Sequence, residues 1–76
     1  MKFTLSKEEK IKVYNDVRVE LQKNIIVRLN LLNYDIDTFD EDSFVPNENS
    51  AAQINLYNLI QKLKDTNQKI EQIENE

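Results

Sequence analysis

The sequence predicts an all-α chain folded as an antiparallel two-helix hairpin, coiled-coil-like in its packing, that dimerises into a four-helix bundle. Three observations predict it. Apolar residues recur at three- and four-residue steps through Ile11, Tyr14, Val17, Leu21, Ile25, Leu29 and Leu32, and again through Leu56, Ile60, Leu63 and Ile70. Each run opens on a capping signature, and between them lies an aperiodic stretch of Asp, Ser, Asn and the only proline. Finally, Leu21 to Leu32 (LQKNIIVRLNLL) is apolar on nearly every side, because Ile26, Val27 and Leu31 fall outside the main stripe. A helix of that kind is normally covered on several sides, more than one neighbouring helix supplies.

With 76 residues the chain forms a single domain, 1–76. A chain this short buries only ~60% of its unfolded surface. It has neither cysteine for a disulfide nor histidine for a metal site, so association with a second copy is the expected staple.

The first helix is expected over about 7–32. Ser6 followed by Glu9 forms a capping box, and Glu8 and Glu9 suit the positive end of the helix dipole. Phe3 and Leu5 lie just before it, placed to fold back on the core. Asn33 marks its end, since asparagine is the usual substitute for glycine in the left-handed position after a helix, and Tyr34 then falls beside Leu29. A helix of roughly 26 residues is about 39 Å long and needs a long partner.

The connector, 33–49, holds Asp35, Asp37, Asp40, Glu41, Asp42 and Glu48 and no base. Its length exceeds the ~12–15 residues usual for a structureless loop, so it packs on itself, binds something or moves. Ile36, Phe39, Phe44 and Val45 favour packing. Asp37 or Thr38 is expected to cap a short turn, and Pro46 holds Val45 extended.

The second helix is expected over about 51–74, opened by Ser50 and Gln53 as another capping box. Leu56, Ile60, Leu63, Asn67 and Ile70 take a and d positions of successive heptads. Asn67 is either a buried residue that fixes register or part of a solvated tail. Leu59 and Ile73 widen the stripe, which favours a bundle over a zipper. Ile26, Val27, Leu31, Leu59, Asn67 and Ile73 are thus the expected oligomer interface. Asp65 and Lys69 make an outer i,i+4 pair.

Charge is uneven along the chain. Residues 1–33 hold seven Lys/Arg against four acids, the connector stretch holds six acids, and residues 51–76 hold three bases against four acids. The acidic run does not match a calcium loop: counted from Asp35, Phe39 stands where an oxygen ligand belongs, Asp40 where glycine belongs and Pro46 where the bidentate glutamate belongs. No metal or cofactor is expected. Nor is an enzyme: Ser6, Ser43 and Ser50 have no histidine to activate them, and there is no glycine-rich loop to cradle phosphate. Lys7, Lys10, Lys12, Arg18, Lys23 and Arg28 scatter round the first helix, and the acidic connector repels phosphate, so direct nucleic-acid binding is not expected. Arg18 and Arg28 are placed to pair with connector carboxylates.

The N-terminus carries charges where a secretory signal needs an apolar run, and Arg28 interrupts the longest apolar patch. A soluble, cytoplasmic protein without membrane contact is expected. Abundant Asn, Lys and Ile with no glycine suggest an AT-rich genome such as that of some bacteria and their phages. The expected function is non-enzymatic: a small structural, assembly or adaptor protein whose activity is the surface of its bundle, with itself and an unidentified protein as partners. The alternative is an acidic inhibitor, phage-encoded, whose six connector acids mimic phosphate and occupy a basic nucleic-acid-binding surface on a partner protein.

Overall fold

The computed structural model describes residues 4–76. Two helices, α1 (Lys7–Leu31) and α2 (Ala51–Glu74), pack antiparallel against each other, with no strand among the described residues. Phe3 lies outside the described residues, and Leu5 stays exposed instead of folding onto the core.

Local chemistry sets the ends. Ser6 Oγ accepts from the Glu9 amide at 3.2 Å and Glu9 Oε1 accepts from the Ser6 amide at 3.3 Å, completing the box. At the other end Leu32 is the cap, and Asn33 adopts a left-handed φ of 64°. The Tyr34 amide donates to the Leu29 carbonyl (2.9 Å) and the Asn33 amide to the Asn30 carbonyl (3.1 Å), the paired bonds of a Schellman ending. α2 opens differently from the expected box. Ser50 Oγ accepts from the Gln53 amide at 3.2 Å, but Gln53 Oε1 turns to the Asn47 amide at 2.8 Å. The side chain thereby ties the helix to the connector.

The core sits at the connector end, where Ile25 and Leu29 of α1 meet Leu56 and Ile60 of α2. Leu32, Leu59 and Leu63 flank it, and Phe39 and Phe44 of the connector close it over. Toward the open end Ile70 and Ile73 are buried as well, and polar contacts join them. Lys69 Nζ lies 5.8 Å from the centre of the Tyr14 ring, a cation–π contact, in place of the expected pair with Asp65. Lys7 Nζ donates to the Glu74 and Glu76 carbonyls at 3.3 and 3.2 Å, placing a cation at the negative end of α2.

Two seam positions differ from the heptad reading. Between Tyr14 and Leu21 the half-buried residues are Asn15 and Arg18, and Val17 lies outside. A step of three or four satisfies the period equally, and a long arginine stem can line a seam while its charged head stays in water. In α2 Thr66 is buried and Asn67 exposed. Thr66 Oγ1 donates to the Lys62 carbonyl one turn back at 2.8 Å, so its hydroxyl is satisfied within its own helix. An asparagine amide has more donors and acceptors than that one carbonyl can serve.

Candidate functional site

The connector is built on a tandem pentapeptide, Asp35-Ile36-Asp37-Thr38-Phe39 followed by Asp40-Glu41-Asp42-Ser43-Phe44. In each unit the first aspartate closes the turn. Asp35 Oδ1 accepts from the Asp37 amide at 2.9 Å, and Asp40 Oδ1 accepts from the Asp42 amide at 3.0 Å. The Phe39 amide donates to the Asp35 carbonyl at 2.9 Å, and the Ser43 hydroxyl to the Asp40 carbonyl at 3.4 Å. A third turn of the same type follows at Asn47, whose Oδ1 accepts from the Asn49 amide at 2.9 Å. Side chains that hydrogen-bond their own backbone two residues on are an efficient way to bend a chain without glycine, which this sequence lacks.

Each pentad ends on a phenylalanine turned toward the core. The Phe39 and Phe44 rings meet edge-to-face at 5.4 Å and 85°, and Tyr34 joins them at 5.3 and 5.8 Å. Such geometry matches the positive edge of one ring to the negative face of the next. Sequence reading expected the turn cap at Asp37 or Thr38; the structure assigns it to Asp35. The pentapeptide itself was legible as a repeat of Asp-x-Asp-x-Phe.

All six connector acids are exposed, but they are not equivalent. Asp35 and Asp40 serve the backbone. Asp42 pairs with Lys64 of α2 at 2.9 Å, and that hydrogen bond, with the negative charges of Asp42 and Glu41 nearby, holds the Lys64 pKa above its ordinary value. Neither Arg18 nor Arg28 takes the connector pairing expected of them; among the described residues the other ion pair is Lys23 with Glu20 at 3.7 Å. Asp37 and Glu48 accept no side-chain hydrogen bond and make no ion pair among the described residues. No group of three or more acidic, histidine or cysteine side chains there is arranged to hold a metal ion.

The connector covers one face of the hairpin. Beneath it, Ile36, Phe39 and Glu41 meet Gln22 and Ile25 of α1 and Lys64 and Asn67 of α2 around a recess of about 260 Å³. The opposite face is open. There Arg28 and Leu31 of α1 stand beside Ala52, Asn55 and Leu59 of α2.

The expected interface residues separate over these surfaces. Val27 and Leu31 lie toward the open side with 57% and 73% of their surface exposed. Leu59 is half-buried against its own core. Ile26, 45% exposed, is on the other flank of α1, and Asn67 borders the recess beneath the connector. Ile73 is buried within the hairpin. Val13 and Val17, 48% and 41% exposed, were not expected there and extend the line of Val27 and Leu31. The signal that finds them is a second heptad stripe on α1, masked in the sequence by the stronger stripe beside it.

No described helix is long and apolar enough to cross a membrane. Compared with family models, curated proteins and solved structures, the chain matches none.

Proposed function

We propose that this is a non-enzymatic structural or assembly protein that works through protein–protein contacts of a helical bundle formed with a second copy of itself. The observation that carries the reading is the line of exposed apolar residues on one side of α1, Val13, Val17, Val27 and Leu31, beside the stripe that Ile25 and Leu29 commit to the hairpin; Val19 and Ile26 are exposed as well but stand off this line. The four residues form two apolar pairs on one helix face, Val13 with Val17 and Val27 with Leu31, separated by Glu20 and Asn24, and exposed apolar residues grouped in this way mark an interaction site more often than scattered single ones do. The connector supports the same reading, since two of its acids fold the loop and a third holds α2, leaving it more fastener than ligand.

Sedimentation equilibrium of the unmodified chain over a wide concentration range tests the proposal. A mass that rises toward the dimer with concentration is the expected result. A concentration-independent monomer refutes it.

A further inference from the structure

We infer that the occupant of the open stripe is α1 of a second copy, running antiparallel about a two-fold axis level with Gln22. The inference rests on the self-association proposed above and adds its face, direction and register. Val13, Val17, Glu20, Asn24, Val27 and Leu31 follow one another at alternating steps of four and three, the spacing of a coiled-coil seam. That seam reads the same from both ends. Position 22 lies midway between Val13 and Leu31, between Val17 and Val27, and between Glu20 and Asn24.

Antiparallel pairing therefore stacks Val13 on the partner copy's equivalent of Leu31, and Val17 on that of Val27, apolar on apolar. At the centre the Glu20 carboxylate meets the Asn24 amide, an acceptor facing a donor. The parallel alternative sets two Glu20 carboxylates against each other in one layer, which is repulsive. Self-complementarity about a two-fold axis is what an isologous dimer requires. Lys23, which approaches its counterpart across the axis, is already paired with Glu20 at 3.7 Å.

Single variants Val17→Cys and Val27→Cys test the register, because the chain has no cysteine of its own. Both positions are exposed, so both variants should keep the helical circular dichroism of the parent. Mixed in equal amounts under mild oxidation, they are expected to give the 17–27 mixed disulfide as the main product, several-fold over either symmetric one. A dominant symmetric Val27→Cys disulfide means parallel packing and overturns the proposal. A dimer by sedimentation that forms no 17–27 cross-link overturns the register and leaves self-association standing, whereas a monomer by sedimentation removes both.

Discussion

Val27→Asp separates the outer seam of α1 from every other apolar position on that helix. Val27 is 57% exposed in the single hairpin. Fully burying a valine contributes ~1.5 kcal/mol, so the exposed share is worth ~0.9 kcal/mol, and a two-fold interface contains it twice, ~1.7 kcal/mol. The substitution forfeits that and places an unpaired carboxylate opposite Val17, costing at least ~2.5 kcal/mol more. Together these weaken the dimer by about a thousandfold in Kd, at ~1.4 kcal/mol per decade. The hairpin itself should change by no more than ~0.5 kcal/mol, as at other surface positions. Ile26→Asp is the control, because Ile26 is comparably exposed but lies on the other flank. Sedimentation equilibrium reads the dimer, and a dilute thermal melt followed by circular dichroism reads the hairpin. Equal weakening by both variants, or by neither, refutes the assignment of this seam.

Other substitutions probe the hairpin and its connector. Leu56→Ala removes the one large side chain that is fully buried among the described residues and should destabilise the fold by ~2–5 kcal/mol, read by urea denaturation. Asp40→Ala deletes the acceptor that closes the second pentad and should cost ~1 kcal/mol, whereas Asp37→Ala, which removes no such bond, should cost little; equal effects would contradict the assigned turns. Because its folded pKa is raised, Lys64 adds stability that is fully present below the unfolded lysine pKa and is lost only as pH rises through the higher folded value. Followed by NMR, Lys64 should titrate above the ordinary lysine value, and Asp42→Asn should remove the upward shift. Combining Asp37→Asn, Asp40→Asn and Asp42→Asn should leave dimerisation intact, and loss of a captured basic partner with the dimer unchanged would favour the inhibitor reading instead.

What could be read from the sequence was chemistry confined to a few neighbouring residues. Ser6 with Glu9, and Asn33 with its left-handed φ, report their own geometry because donors, acceptors and backbone all lie within one turn. The choice between Val17 and Arg18, or between Asn67 and Thr66, depends on where the opposing helix crosses, and the helical period admits either. Charge counting does not distinguish the connector acids, for a related reason. It treats six carboxylates as one acidic surface, although two of them accept hydrogen bonds from their own backbone and a third is held by Lys64. Those bonds fix where Phe39 and Phe44 stand, and the two rings close one face of the Ile25–Leu29–Leu56–Ile60 core. A single connector closes only one face of a two-helix hairpin. The side of α1 that it leaves uncovered carries Val13, Val17, Val27 and Leu31, and their spacing about position 22 is the feature on which the proposed pairing with a second copy stands or falls.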